Sequence, residues 1–315
     1  MKRKWTIKTV SWIPVLLVLS AGCAGVAQPG VDQITPSPKA ECASGDWTVI
    51  RRMHFGQSTV GVMFGDESFG VAVDLGGGIH YTEDGGTIWT QAFKAGFSRV
   101  ALEISEGNRR IWHIAFGGEV LLSTDRARVW QRVSAFPHNQ HVEYVSFSNE
   151  NAGWGMTTEL RTFFITADGG KTWSARPFPE GMAAPAALHL RTPSEGYLLD
   201  VAGSLFVSAD GGDTWVANSL DLPEGMTIPT LNHSAVVRFS DAMHGVIALN
   251  RIGGGEGFVS AQRTADGGAT WTEEPLPVKM GMFHLTRDGV FLTHVDLNDQ
   301  GKITLLCSAK SLRIG

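Results

Sequence analysis

One pattern, Ser/Thr-x-Asp-x-Gly-x-x-Trp, recurs five times along this chain and constrains its fold more than any other feature. The copies span residues 82–89, 123–130, 166–173, 208–215 and 264–271, and the second copy lacks glycine. Asp-Gly-Gly favours the positive-φ backbone of a compact hairpin, and the carboxylate can accept amide hydrogen bonds across it. The sequence therefore predicts five structural turn residues: Asp84, Asp125, Asp168, Asp210 and Asp266.

These segments resemble the Asp boxes of the bacterial neuraminidase repeat, and the resemblance implies a β-propeller whose boxes join the outer two strands of each blade. Trp47 precedes the first box tryptophan by about 42 residues, which is the usual interval between boxes. Residues 46–49 are therefore predicted to form the outer strand of the last blade, which closes the ring. We predict an all-β propeller of six four-stranded blades over residues 46–315, with seven blades as the alternative.

Among the groups that share this repeat, the chain is most similar to the photosystem II stability/assembly factor-like proteins, over roughly residues 46–315. That resemblance implies a non-catalytic propeller that binds other proteins. The photosynthetic members carry an arginine patch on one face. Here the arginines in question are scattered between blades: Arg51, Arg52, Arg99, Arg109 and Arg110. A photosystem role is therefore not expected.

Sialidases and other glycoside hydrolases also share the repeat, so a glycoside hydrolase or carbohydrate-binding propeller is the alternative. The Arg-Ile-Pro motif of sialidases is absent, and Glu143 and Tyr144 point to opposite faces of a strand. Other hydrolases of the repeat use two carboxylates across the mouth. Loop acids that could supply such a pair are Asp74, Glu119, Glu159, Asp200, Asp296 and Asp299. We favour solvated acids here and predict no catalytic residue.

Neither a metal nor a cofactor is predicted. His138 and His141 precede a strand, and no nearby Cys or carboxylate completes a ligand set. The run Gly253-Gly-Gly-Glu-Gly257 follows no βαβ pattern, so we interpret it as a flexible loop. Lys and Arg total 26 against 31 Asp and Glu, which argues against nucleic acid as a partner.

The amino terminus is typical of an export signal. Basic residues precede a short apolar run over 12–19, which ends in Leu-Ser-Ala-Gly-Cys23. That ending resembles a bacterial lipobox, so residues 1–22 are predicted to be a lipoprotein signal peptide and Cys23 the lipidated residue. Residues 23–45 have the composition of a flexible tether. We expect an extracytoplasmic protein of the cell envelope that contacts a membrane through its lipid anchor only.

Two further cysteines, Cys42 and Cys307, lie at the two ends of the predicted propeller. Disulfides form and persist in an oxidising, extracytoplasmic compartment. The sequence therefore predicts one disulfide between them, close to the point where the ring closes.

Blade five breaks the regularity of the repeat, with extra residues in its D–A loop (217–234) and its B–C loop (250–260). B–C and D–A loops share one face of a propeller, and long loops on a rigid scaffold often carry function. Candidate binding residues are Glu224, Met226, Arg251 and Glu256. We predict that a protein or glycan binds there, with a tolerated surface insertion as the alternative.

Pro-Glu-Gly-Met occurs twice in successive D–A loops, at 179–182 and 223–226. Turn chemistry explains the proline and the glycine but not the methionine. A methionine in an exposed loop is an adaptable contact for a partner. The alternative is that each methionine covers the core of its own blade.

Changing Cys23 to Ala should release the protein from membranes into the soluble extracytoplasmic fraction, because the thiol that would carry the lipid is lost. Fractionation followed by immunoblotting measures the change. A variant that stays in the membrane fraction as fully as the wild type would refute the lipid anchor.

Overall fold

A computed structural model describes residues 46–96, 101–105, 110–115, 117–136, 142–157, 162–230, 233–286, 290–296 and 298–308. Within these ranges the chain forms six separate four-stranded antiparallel sheets. They are the six blades of a β-propeller, as the sequence predicts. In the same ranges no helix is long and apolar enough to cross a membrane.

The first strand, β1 (Thr48–His54), belongs to the last blade, and blades one to three follow it along the chain. Each blade has strands A to D, counted from the central channel outwards. Blade one contains β2 (Thr59–Phe64), β3 (Gly70–Asp74), β4 (Gly78–Thr82) and β5 (Thr90–Lys94). Blade two contains β6 (Ala101–Ile104), β7 (Ile111–Ile114), β8 (Glu119–Ser123) and β9 (Gln131–Ala135). Blade three contains β10 (Tyr144–Phe147), β11 (Gly153–Met156), β12 (Thr162–Thr166) and β13 (Ser174–Pro177).

Blades four to six complete the ring. Blade four contains β14 (Pro185–Leu190), β15 (Gly196–Asp200), β16 (Ser204–Ser208) and β17 (Val216–Ser219). Blade five contains β18 (Ala235–Phe239), β19 (Gly245–Gly253), β20 (Glu256–Thr264) and β21 (Thr272–Pro275). Blade six contains β22 (Gly281–Leu285), β23 (Phe291–Asp296) and β24 (Lys302–Cys307), with β1 as its outer strand.

The N-terminal strand closes the ring, as predicted. β1 pairs antiparallel with β24, from Thr48 opposite Cys307 to His54 opposite Lys302. Arg51 also reaches the neighbouring blade, where its Nη1 donates to the carbonyl oxygens of Asp84 (3.1 Å) and Gly85 (2.6 Å). With β1 in place, the sheet that contains the first and last described strands has four strands, as the other five blades do.

The Asp boxes are turns held by their own side chains. In the third box, Asp168 Oδ1 accepts hydrogen bonds from the amides of Lys171 (3.0 Å) and Thr172 (2.9 Å) and from the Thr166 hydroxyl (2.8 Å). The Gly169 amide donates to the carbonyl of Asn151 in the A–B loop (2.8 Å). A–B loops and boxes therefore share one face, here called the box face, and B–C and D–A loops share the other, here called the insertion face.

The second box keeps this geometry without glycine. Arg126 and Ala127 have φ values of 60° and 65°, which cost of order 1 kcal/mol or more each for such residues. Neighbouring contacts offset part of that cost. The Arg126 guanidinium lies 4.4 Å from the centre of the Phe69 ring, and Arg128 bonds to Glu83 in the box of blade one.

The core lies between blades, where aromatic side chains interleave. Trp112 stacks on Phe147 of the next blade at 4.0 Å between ring centres, and Tyr197 stacks on Phe239 at 3.9 Å. The box tryptophans join these layers, as Trp215 does against Trp154 of the preceding blade at 5.7 Å. Each blade is thus packed against a neighbouring blade on both faces.

Cys307 is buried at the end of β24, and its Sγ lies 3.9 Å from the Thr48 hydroxyl oxygen of the closing strand. Cys42 and Cys23 lie outside the described residues. The disulfide and the lipid anchor therefore remain predictions.

If Cys42 and Cys307 are linked, Cys42→Ser should lower the free energy of unfolding by up to roughly 4–5 kcal/mol. This is the value that the chain-entropy model gives for the loop that the bond would close between residues 42 and 307. The serine variant leaves buried Cys307 untouched, so it isolates the bond. Denaturant titration with and without reductant measures the effect. Reductant should destabilise the wild type and leave Cys42→Ser unchanged. Two reactive thiols in the unfolded, unreduced propeller would refute the bond.

The boxes also predict acid sensitivity. Hydrogen bonds from Thr214 and Ser208 lower the pKa of Asp210 to about 2, and those from Thr270 and Thr264 lower the pKa of Asp266 to about 2. Because the unfolded carboxyl binds its proton at higher pH, near the usual value of about 3.9, this stabilisation is complete above that value. It is lost as the pH falls through the folded pKa.

We therefore expect Asp210→Asn to lower the melting temperature near neutral pH and to flatten its decline below about pH 4. Asp213→Asn is the matched control, since the Asp213 carboxylate lies in the same turn but faces Arg176 at 3.8 Å. Thermal unfolding between about pH 2 and 7 measures both. Identical pH profiles for Asp210→Asn and the wild type would contradict the role of the box carboxylate.

Candidate functional site

The central channel is nearly filled by side chains from the innermost strands. Its cavity measures about 20 Å³, enough for one or two water molecules but not for a sugar ring. Across it, Arg238 of blade five pairs with Glu103 of blade two at 3.0 Å, and both side chains are buried. This cavity is therefore too small to be a sugar-binding pocket.

Two titratable groups beside this cavity, Tyr144 and His284, have pKa values shifted away from neutral pH. Burial and the negative charge of Glu143 raise the pKa of Tyr144, whereas a tyrosine nucleophile needs its pKa lowered. Burial, together with neighbouring His233 and Arg238, keeps the pKa of His284 well below its usual range. These groups line the channel as neutral side chains.

Of the acidic residues predicted in or near the B–C loops, those that the structure describes form hydrogen bonds or ion pairs within their own blades. Asp74 accepts from the Gly78 amide (2.9 Å) and bonds to His80 (2.8 Å). Asp200 accepts from the amides of Ala183 and Ser204. Others bond to a basic side chain or a nearby amide: Glu119 to Arg132, Asp296 to Asn298, and Asp299 to His54 and Gly301. Each of these acids serves its own turn or blade, and Glu159 lies outside the described residues.

His138 and His141 also lie outside the described residues. Among the residues that are described, no three His, Cys, Asp or Glu side chains are grouped closely enough to hold a metal ion.

Blade five departs from the other blades at the insertion face, where the structure corrects two expectations. The extra residues predicted as a B–C loop extend the strands instead, so that β19 and β20 have nine residues each. Gly254 and Gly255, with φ of 60° and 85°, form a two-residue hairpin turn. The run Gly253–Gly257 is therefore the tip of a regular hairpin and not a flexible loop.

The second insertion, in the D–A loop, supports this hairpin. Thr227 and Ile252 exchange backbone hydrogen bonds of 3.0 and 2.9 Å. Next to them, buried Ile228 donates from its amide to the carbonyl of Val201 at 2.9 Å, which ties the loop to blade four. The two insertions thus form one structure on one face, although Leu231 and Asn232 lie outside the described residues.

The two Pro-Glu-Gly-Met segments form the same turn, but their methionines differ. The amides of Met182 and Met226 donate to the carbonyls of Pro179 (3.3 Å) and Pro223 (3.0 Å). Met182 is buried in the core of its blade, as the alternative interpretation expects. Met226 is half-buried, and its side chain packs against Gly253 of the hairpin.

Arg251, one of the predicted binding residues, is buried, and its guanidinium bonds to Glu273 on β21. It therefore braces the hairpin within blade five. Glu224 and Glu256 are exposed on the insertion face, as a binding role requires.

Two apolar residues that sequence reasoning missed stand out on the same hairpin. Ile252 and Phe258 are 40% and 38% exposed. The alternation of side chains along a strand did not distinguish these two residues from core residues. They are exposed because the hairpin extends beyond the rest of the blade. Met226, Ile252, Glu256, Phe258 and half-buried Met280 are here called the hairpin surface.

Comparison with known proteins agrees with this architecture. The BNR/Asp-box repeat model matches residues 164–175, which contain the third box. The chain is a six-bladed Asp-box β-propeller. No curated protein matches it in sequence.

Solved propellers with diverse activities share the fold. The structure of YCF48 bound to D1 peptide is similar with a TM-score of 0.53 and 13% identity, covering 87% of this chain and 100% of that one. A virginiamycin B lyase from Staphylococcus aureus gives 0.52 and 11%, covering 79% and 80%. A GH74 enzyme from Niastella koreensis gives 0.50 and 15%, covering 80% of this chain and 38% of that one. At these identities the likeness concerns the fold alone.

Proposed function

We propose that this Asp-box propeller is a non-catalytic scaffold that binds a protein partner through its hairpin surface. One observation carries the proposal. Two separate insertions in blade five pair with each other and project exposed Ile252 and Phe258 from the insertion face. Neighbouring exposed apolar residues on a rigid projection are typical of a surface that a partner covers. The small volume of the channel cavity, about 20 Å³, favours a surface site over this cavity.

The chemistry of the hairpin surface suits a polypeptide. Apolar Phe258 projects from the same side of the hairpin as exposed Glu256, and Ile252 and half-buried Met280 lie on the other side. Such a mixture of aromatic, methionine and polar-rim residues is common in protein interfaces. YCF48, which shares the fold, has been solved with a bound peptide. That precedent supports a peptide or protein ligand for this scaffold.

We further propose that the scaffold is tethered to an envelope membrane through Cys23. The chain enters the propeller at Thr48, opposite Cys307, at the end of the blade where the boxes lie. The chain that would carry the anchor therefore joins the propeller at its box face. The hairpin surface lies on the opposite face of the propeller.

The proposed function is tested by the double variant Ile252→Ser, Phe258→Ser. Loss of two exposed apolar contacts should weaken capture of the partner by at least about tenfold, because a few such side chains carry most of an interface. Both residues are already partly exposed, so folding should persist. Capture from native membranes with quantitative mass spectrometry, and affinity for the captured protein, measure the effect.

Val216→Ser is the matched control, since Val216 is 66% exposed at the box end of β17. It should leave capture unchanged. Glu224→Ala and Met226→Ala then separate a charged from an apolar contribution of the D–A loop. Equal affinity of the double variant and the wild type for the same partner would contradict the proposed site.

A further inference from the structure

Two boxes on adjacent blades differ from the other three at the residue before the box tryptophan. In boxes three to five that residue is a threonine, whose hydroxyl donates to Oδ2 of the box aspartate at 2.5–2.6 Å (Thr172, Thr214 and Thr270). In boxes one and two it is Ile88 and Val129. Neither side chain can donate a hydrogen bond, so boxes one and two lack a contact that stabilises the other three turns.

Both of these aliphatic side chains point into solvent. Ile88 is 66% exposed and Val129 is 59% exposed. Among the bulky apolar side chains of the described residues, only Val216 is comparably exposed. A single exposed aliphatic residue is normal, but here the same position of two neighbouring boxes carries one. Because the propeller covers so little of either side chain, a partner for both has to come from outside it.

Contacts between the two boxes hold these side chains in a fixed arrangement. Arg128 of box two bonds to Glu83 of box one at 2.7 Å. Arg126 of box two lies 4.4 Å from the centre of an aromatic ring in blade one. The glycine-free second turn is therefore braced against blade one. Residues 82–89 and 123–130 together are here called the box edge.

The chain that precedes the propeller joins it beside the box edge. β1 begins at Thr48 on the box face, and its Arg51 bonds to two carbonyl oxygens of box one. For a tether with the length and composition of residues 23–45, the r.m.s. end-to-end distance is roughly 25–30 Å. A lipid on Cys23 would therefore keep the box edge at a high effective concentration near the membrane surface, where even a weak contact suffices.

The charges of the box edge do not favour an anionic surface. The two boxes and Arg51 carry three acidic residues and three arginines: Glu83, Asp84, Asp125, Arg51, Arg126 and Arg128. These formal charges cancel. The driving force for a contact is then burial of the two aliphatic side chains, which depends little on the charge of the surface or on salt.

We propose that the box edge docks on the lipid bilayer to which Cys23 tethers the protein. Ile88 and Val129 enter the boundary between headgroups and acyl chains, and the neighbouring arginines stay at the level of the headgroups. The hairpin surface, on the opposite face of the propeller, then points away from the bilayer. This inference rests on the proposed tether and is independent of the proposed protein partner.

The test uses the full-length lipidated protein reconstituted in phosphatidylcholine vesicles. An environment-sensitive fluorescent amino acid replaces Ile88, Val129 or, as the matched control, Val216, which is also 66% exposed but lies on blade four. We expect blue-shifted emission and quenching by brominated lipids at positions 88 and 129, and neither at position 216. Added salt or anionic lipid should leave these signals unchanged.

A protein variant gives an independent check. Ile88→Thr, Val129→Thr gives both boxes the residue that the other three boxes have. With the fluorescent residue placed at exposed position 87, quenching by brominated lipids should be lost in this double variant and kept in Val216→Thr. The melting temperature of the double variant should equal or exceed that of the wild type, because each new hydroxyl can donate to its box aspartate.

Vesicle flotation distinguishes failure of the docking from failure of the tether. Protein that floats with the vesicles but is quenched at neither position 88 nor position 129 would overturn the docking and leave the tether standing. Protein that carries no lipid and does not float would refute the tether, and the docking with it. Quenching that requires anionic lipid, or that persists in the double variant, would contradict insertion of these side chains. A protein crosslinked from position 88 would identify a protein as the occupant instead.

Discussion

Pairing of β1 with β24 is the contact on which the rest of the propeller depends. It joins residues at the two ends of the described chain, so it closes a loop that contains the whole intervening sequence. Without it, blade six would expose the edge of β24 and blade one would lose the Arg51 contact to its box turn. The predicted disulfide would secure this same junction.

In this closed ring, the contacts that stabilise the fold lie apart from the proposed binding surface. The box carboxylates satisfy backbone amides at the rim, and aromatic stacking between blades supplies the core. Neither uses the insertion face. Blade five can therefore extend two strands and a loop there, at little cost to the ring, and place a rigid apolar hairpin outside the scaffold. The pairing of Thr227 with Ile252 then fixes the hairpin's position.

The sequence predicted the parts of this structure that are encoded locally or repeated. Six blades, the closing strand and the box turns follow from a period of about 42 residues and from the chemistry of Asp-Gly-Gly. Contacts between distant residues could not be predicted. Met182 and Met226 belong to two copies of the same motif and turn type, but only Met182 is buried. Arg251 contacts Glu273 because the register of three strands brings them together. The glycine-rich run suggested a loop because composition alone does not distinguish a loop from a hairpin turn.

Site-specific photo-crosslinking in native membranes tests the central claim, that the partner meets the hairpin surface, most directly. A photoreactive residue at position 258 on the insertion face is compared with one at position 88 on the box face, where Ile88 is 66% exposed. The account predicts a single partner crosslinked from position 258 and not from position 88. A partner crosslinked from position 88 alone would place the binding site on the box face and contradict the account.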